Sequence, residues 1–415
     1  ALTPELLIPT PESTDIAILD HGLQPFLPEL GRFSSTKHVL ASPLYRRLQP
    51  RIEGVLGNVI EENFGDQAAQ ARLAAKPFVR ATAWNIERGL RLDGIIRALD
   101  KHAVLGASDV LMLTELDCGM ARTDNRFVAR EIATSLNYNY VFAPCYIALS
   151  KGNRWEMRTG GENTAALHGN ALLAPFPLRR AHSLALPNGK DKMRGTEKRL
   201  GCQRAVIADV EHPAGMFRAV SLHLDAHSSQ RHRWRQMRMV LNHLEHLRPT
   251  LPTLVGGDWN TSGYNSKRAL YSILGYWRRV LMGVPHVIKN HYPYPERWFE
   301  RKLFRGLERR GYSYQDLNAL GQCTLHYDVG DLGPNENMAD WIPNWCFPFI
   351  NWALSKQQGR CSLKLDWFAG RDISVASTLG APGQPPQIIG DLRDQEGALS
   401  DHDPVVLDFL PRKIV

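Results

Sequence analysis

Six short stretches of this 415-residue chain carry acid, amide or imidazole groups at the end of an apolar run. They are Ala83-Trp84-Asn85-Ile86-Glu87, Leu111-Met112-Leu113-Thr114-Glu115, Val220-Ser221-Leu222-His223-Leu224-Asp225, Leu254-Val255-Gly256-Gly257-Asp258-Trp259-Asn260, Leu363-Lys364-Leu365-Asp366-Trp367 and Ser400-Asp401-His402-Asp403-Pro404-Val405. One such stretch is ordinary, because polar residues at a strand end are usually just solvated. Six in one format point to strand ends that converge on hard oxygen donors and imidazoles. Metal-assisted hydrolysis of a phosphate ester requires that equipment.

The elements that position these groups are legible as well. From Phe78 onward, strands alternate with helices. Strands are expected at Phe78–Ile86, Asp109–Leu113, Tyr140–Ala143, Asn170–Leu173, Ala205–Val210, Phe217–Leu222, Thr253–Val255, Leu365–Phe368 and Val405–Phe409. Helical periodicity marks Leu92–His102, Arg126–Leu136 and Gln230–Leu247. Such alternation predicts an α/β fold of sheets faced by helices. Residues 1–77 have a different texture. Five prolines break up the first 28 residues, and Leu44, Leu48, Ile52, Val55 and Ile60 then recur at helical spacing. This reads as a helical N-terminal extension (1–77) packed on a main domain (78–412). Two stretches interrupt that domain, a basic and aromatic one at 264–311 and an aromatic, Pro- and Gly-containing one at 327–360, and insertions there would shape a substrate rim.

Composition sets outer limits. No run approaches the roughly 18 apolar residues of a membrane span, so there is no transmembrane segment to expect. The sequence starts at Ala1 without a basic-then-apolar leader, which leaves a cytoplasmic or an exported protein open. Six scattered cysteines without a CxxC pair argue against structural zinc and for free thiols, with a disulfide or two conceivable on export. Between Lys267 and Arg310, eleven lysines and arginines face three glutamates, a local excess equal to the +8 of the whole chain. A positive field concentrated in this way suits a polyanion or an anionic membrane surface, although a solvated helical face would look the same.

In order along the chain, the motifs WNIE, TE, HLD, GDWN, LDW and SDH resemble the endonuclease/exonuclease/phosphatase (DNase I-like) superfamily over residues 78–412. The resemblance implies a four-layered α/β sandwich, two packed mixed sheets flanked by helices, with the site at one edge and Mg²⁺ or Mn²⁺ as cofactor. Glu115 then matches the metal-binding glutamate, with Asn85 and Asp401 beside it. Asp258 would orient or deprotonate the attacking water, and Asn260 would contact phosphate or metal. His402, oriented by Asp366, would stabilise the phosphorane or protonate the leaving oxygen, and His223 would bind non-bridging oxygens. Asn170 and Arg199 are candidate substrate contacts, the first in a His-Gly-Asn stretch and the second in a basic loop. Thr114 stands where many relatives have glutamine, and Trp259 replaces a different apolar residue.

These readings give a metal-dependent phosphoesterase, foremost a phosphodiesterase or nuclease acting by in-line attack of water. A phospholipid or phosphoinositide phosphoesterase is the alternative, since Trp277, Trp298 and Phe299 accompany the basic residues. A non-catalytic module of the same fold would be expected to have lost part of the set, and none is missing.

Overall fold

The computed structural model describes residues 18–153, 156–267, 269–328, 352 and 360–412. The first sheet is built around β2 (Val79–Arg88), β3 (Val110–Cys118), β4 (Asn139–Ala148) and β5 (Leu167–Ala174), with β18 (Val405–Pro411) beside β2. Its order is β1 (Ile60–Glu62), β4, β5, β3, β2, β18, β14 (Ile373–Val375); β7 (Arg199–Gly201) pairs with β4 and β15 (Gln387–Ile388) with β18. The second sheet runs β13 (Asp366–Arg371), β10 (Thr253–Asp258), β9 (Phe217–Ser221), β8 (Arg204–Val210), β6 (Leu178–Ala185). Two small antiparallel pairs account for the remaining strands among the described residues, β11 (Leu325–Asp328) with β12 (Arg360–Leu363) and β16 (Arg393–Asp394) with β17 (Gly397–Ala398). Both main sheets are mixed, because β2 runs parallel to β3 and β9 parallel to β10 while their other pairings are antiparallel.

The two sheets pack face to face. Every residue of β4 and of β5 is buried, the state expected of strands covered on both faces. Gly256 faces the seam between them: a Cβ there would lie 2.5 Å from Met112 Sδ of the first sheet and 2.7 Å from the ring of its own strand partner Phe368. Outside the first sheet lie α5 (Leu92–Lys101) and α6 (Val128–Leu136). They bury Leu92, Ile95 and Leu99, and Val128, Ile132 and Leu136, at the spacing of an amphipathic face. Outside the second sheet lie α7 (Gln230–His246) and α10 (Arg301–Glu308). Met237, Val240, Leu241 and Leu244 of α7 join Leu303, Phe304 and Leu307 of α10 in one core with Val220, Leu222 and Trp367. Helices, sheet, sheet and helices make the four layers that the resemblance implied.

The segment before β2 packs against the first sheet with α1 (Leu27–Gly31), α2 (Thr36–Ala41), α3 (Pro43–Gly57) and α4 (Gln67–Ala74). Ser42 caps α3 by accepting from Tyr45 N, and Asp66 caps α4 by accepting from Ala69 N. Leu44, Leu48, Ile52 and Val55 share the core of the first sheet. Ile60, read as the last residue of that helical pattern, instead opens β1 and pairs with Phe142. The extension therefore covers the β4 edge with a strand of its own, which removes an exposed edge. The interruption at 264–311 contains α8 (Ala269–Leu281), α9 (Val284–Asn290) and α10. Of the second interruption, 327–360, only residues 327, 328, 352 and 360 are among those described. Five described cysteines are free thiols, Cys118 and Cys145 buried and Cys202, Cys323 and Cys361 half-buried.

Candidate active site

Strand register brings the polar strand ends to one edge of the sandwich. In the first sheet the parallel pairing of β2 with β3 puts Asn85 level with Thr114, and β18 begins opposite Ala83, so Asp401 and His402 arrive beside Asn85. In the second sheet Asp258 ends β10 directly opposite Asp366, which opens β13, and His223 follows β9. The ends are irregular where they meet. The β2–β3 register shifts after Asn85 and the β3–β5 register shifts after Leu113. Glu87, Arg88, Glu115 and Asn260 all have φ between 45° and 65°. For residues with a Cβ such backbone is costly, and it re-aims side chains at sheet edges. Gly257, at φ 132°, permits the β10 exit, where a Cβ would sit 2.2 Å from Leu222 O.

Asn85 joins the two sheets. Its Nδ2 donates to Glu115 Oε1 at 3.1 Å and to Asp258 Oδ2 at 3.2 Å, while its Oδ1 accepts from Glu87 N at 3.1 Å. The bulge at Glu115 frees that residue's N–H, which donates to Asn170 Oδ1 at 3.3 Å. Asn170 Nδ2 in turn donates to Arg204 O at 2.9 Å, so the buried Asn170 amide is spent on backbone beneath Glu115. Burial alone would raise the Glu115 carboxyl, but His223, the permanently charged Arg88, His168 and the Asn85 hydrogen bond bring it down to about 2. The extended backbone that would align Asp258 with Asn260 is absent. Asn260 turns back instead, donating from N to Asp258 Oδ1 at 2.8 Å and from Nδ2 to Asp258 Oδ2 at 3.1 Å.

The imidazoles differ in charge. His402 Nδ1 donates to Asp366 Oδ2 at 2.7 Å, and its Nε2 lies 3.9 Å from Asp258 Oδ2. Burial would lower His402, yet Asp366, Asp401 and Asp258 outweigh it and hold the ring as an imidazolium. Trp84 Nε1 donates to His402 O at 2.7 Å, and Ser400 Oγ, which accepts from His402 N, donates to Asn85 O. His223 Nε2 lies 3.5 Å from Asp258 Oδ2 and 3.9 Å from Glu115 Oε1. Burial pushes that ring down to about 4, so it is neutral at pH 7.

The donor chemistry fits a divalent cation. Glu115, His223 and Asp258 present ligand atoms within 4.8 Å of one another, and Asp258, Asp366 and His402 form a second such group. The second group is better accounted for without a metal, because Asp366, Asp401 and Asp258 hold His402 as an imidazolium, which has no lone pair to offer. Around the first group acids crowd together. Burial and then Asp401 raise Glu87 to about 8, and burial and Asp366 raise Asp258 to about 8. Asp401 is raised too, by burial and Glu115. Carboxyls that push one another toward protonation leave a deficit of positive charge that a hard cation would fill. Glu87 is the member that the sequence reading left out, although it stands in the same WNIE stretch two residues beyond Asn85.

Other candidates sit further back. Arg199 pairs with Glu197 at 2.6 Å and lies 5.3 Å from the Tyr146 ring centroid. Behind Glu115, Arg122 is fully buried and bonds to Asp117, Glu156 and Glu197, while Asp117 also holds His168 Nδ1 at 2.8 Å. Arg88 reaches Glu156 at 3.2 Å, which connects this charge network to the Glu115 surroundings. Thr114 is buried, and its hydroxyl has no hydrogen-bond partner among the described residues. Trp259 points away from the polar groups into the second core, stacked on Trp367 with ring centroids 6.3 Å apart.

The model of the Endonuclease/Exonuclease/phosphatase family matches residues 82–351. No curated protein matches the chain. Among solved structures, the chain is similar to an endonuclease/exonuclease/phosphatase from Beutenbergia cavernae DSM 12333, at 14% identity and TM-score 0.45, over 81% of this chain and 72% of that one. It is also similar to the 3'-5' exonuclease NExo of Neisseria meningitidis, at 14% identity and TM-score 0.46, over 80% of this chain and 99% of that one. The human nocturnin catalytic domain with bound sulfate is 15% identical, with TM-score 0.42, over 80% and 94% of the two chains.

Proposed function

The chain belongs to the endonuclease/exonuclease/phosphatase family, and from that premise we propose that it is a phosphodiesterase dependent on Mg²⁺ or Mn²⁺. The observation that carries this reading is the pairing of an Asp366-held imidazolium with the Asp258 carboxyl, opposite Glu115 and across the seam between the sheets. Its catalytic unit would span 78–412, with the preceding helices as a packed extension.

Glu115, with Glu87 and Asp401, would hold the cation, and Asn85 would keep Glu115 and Asp258 in place. When bound, such an ion polarises the phosphoryl oxygen and neutralises developing charge. Asp258 accepts two hydrogen bonds from Asn260, and its ionised form, which a cation beside Glu115 would favour, can take the proton of an attacking water. His402 donates from Nε2, either to the phosphorane oxygens or to the departing oxygen. Neutral His223 can donate one ring N–H to a non-bridging oxygen. Asn170, its amide already committed, acts as a positioning residue for Glu115.

Two substrate classes have specific support. Arg301, Lys302 and Arg305 are exposed together on α10, which suits the phosphates of a nucleic acid. An apolar face on α8 favours a phospholipid diester instead. The deciding experiment is hydrolysis of bis(p-nitrophenyl) phosphate with Mg²⁺ or Mn²⁺, with and without EDTA, followed by a panel of plasmid DNA, abasic DNA, RNA, sphingomyelin and phosphoinositides. Undiminished turnover in EDTA would overturn the reading.

A further inference from the structure

Helix α8 is inside out. Leu270, Leu274, Trp277 and Leu281 recur at intervals of four, three and four, so they line one face of the helix, and they are 62%, 58%, 47% and 85% exposed. The opposite face is anchored by a buried arginine. Arg279 Nη2 donates to Gly263 O at 2.7 Å, and its guanidinium lies 4.0 Å from the Tyr264 ring centroid and 4.6 Å from that of Phe299. An amphipathic helix normally turns the leucines inward. Here the polar anchor is inside and the leucines face out, which is an arrangement that a second medium must explain.

The surrounding charge identifies the medium. Across residues 267–302 the two acids, Glu296 and Glu300, are both buried, and Glu300 is committed to Arg233. Lys267, Arg278, Lys289, Arg297, Arg301 and Lys302 are exposed. Trp298, half exposed, is held flat against His291 with ring centroids 4.3 Å apart. A two-fold contact with another copy of this chain would set these cations against themselves. Nucleic acid would use the cations but gives aliphatic leucines nothing to stack on. A bilayer carrying anionic head groups uses both, because leucine and tryptophan enter the acyl boundary while lysine and arginine stay among the phosphates.

We propose that the exposed face of α8, with Trp298 and the flanking cations, docks the protein on an anionic lipid surface. Gly263, to which Arg279 is bonded, follows Asn260 by three residues, so docking would place the edge of the sandwich that carries the strand-end cluster beside the head groups. The inference stands on surface chemistry and does not depend on the catalytic reading, and its test reads binding rather than hydrolysis.

The test is co-sedimentation of the full chain with phosphatidylcholine vesicles containing phosphatidylserine and with phosphatidylcholine alone, with size-exclusion chromatography in parallel. The expected result is a monomer that partitions onto the phosphatidylserine vesicles, more weakly onto phosphatidylcholine, and less as salt rises. Leu274→Ser with Leu281→Ser should lower the partition coefficient by about tenfold or more, with an unchanged circular dichroism spectrum. Should the double variant fold poorly, Leu281→Ser alone, at the most exposed position, should reduce binding in the same direction. Failure of the parent to bind, binding that ignores phosphatidylserine, or binding unaffected by the leucine variants would overturn the proposal. So would a dimer that these variants convert to monomer, since a second copy would then cover the face.

Discussion

His402 precedes β18 of the first sheet and Asp366 opens β13 of the second, yet their side chains meet at 2.7 Å, and that contact fixes the charge of the imidazole facing Asp258. Asp366→Asn keeps the shape and removes the charge. The expected result is a rate on bis(p-nitrophenyl) phosphate lower by a factor on the order of 10². The His402 pKa should fall toward its ordinary value, read by NMR titration of the ring and by an alkaline limb of the pH–rate profile that moves to lower pH. An unchanged titration would show that Asp366 has no electrostatic hold on His402.

His402→Ala and Asp258→Ala should each cost a factor on the order of 10² or more in kcat. His182→Ala is the control. That ring bonds to His243 at 2.9 Å on the outer strand of the second sheet, far from the strand-end cluster in its contacts, and its loss should change kcat little. Equal kcat for the His402 variant and the parent would remove His402 from the mechanism.

Glu115→Gln and Glu87→Gln should both weaken Mg²⁺ or Mn²⁺ binding, measured by calorimetry in the absence of substrate. Removing one carboxylate from a cluster held together by a cation lowers affinity, and at Glu87, which burial and Asp401 push toward protonation, it also relieves repulsion in the metal-free protein. Both variants should therefore bind metal more weakly, the Glu87 variant without losing thermal stability in EDTA and the Glu115 variant with some loss, because its surroundings favour the ionised carboxylate. Metal affinity equal to the parent's in both would discard the ligand set.

Arg122→Met should destabilise the fold by about 3–5 kcal/mol at pH 7, because it strands three buried carboxylates. In the parent, burial opposes the ionised Asp117, but Arg122 and His168 outweigh it and hold the carboxyl below its usual range. A depressed folded pKa stabilises above the unfolded value, and that contribution is lost as pH falls through the folded one. The Asp117 contribution to parent stability in urea melts should thus be complete above about pH 5 and be lost in stronger acid. The Arg122 variant should gain stability on mild acidification, as its uncompensated acids take up protons. Parallel curves for the two proteins would contradict this account.

Neutralising Arg301, Lys302 and Arg305 together should raise KM on DNA or RNA at low salt and spare kcat on the small chromogenic diester. The three are exposed on α10 and remote from the strand-end cluster in their contacts. If the triple variant matches the parent on every polyanion tried, small soluble or lipid diesters become the better substrates.

Much of this was open to reading from the chain alone. Acid, amide and imidazole groups at the ends of apolar runs are visible because a strand buried between layers must be apolar until the point where it meets solvent or a site. For that reason the stretches that hold Asn85, Glu115, His223, Asp258, Asp366 and His402 could be picked out without coordinates, the residues within them coming from the family resemblance, as could the helices that pack beside them. Tertiary structure decided what the period of a strand or helix cannot encode. Glu87 joins the acid cluster because β2 leaves extended geometry at φ 45°, and alternation along a strand carries no sign of that turn. Asn170 serves Glu115 because the bulge in β3 releases an N–H that needs an acceptor. Ile60 fits a helical spacing yet forms a strand, since the open edge of β4 offers it backbone partners. The leucines of α8 show their period in the sequence, but the side they face was settled by Arg279, whose buried bonds to Gly263 and the Tyr264 ring hold the polar face inward. Spacing determines which residues share a face, and only contacts made across long sequence separations determine where that face points.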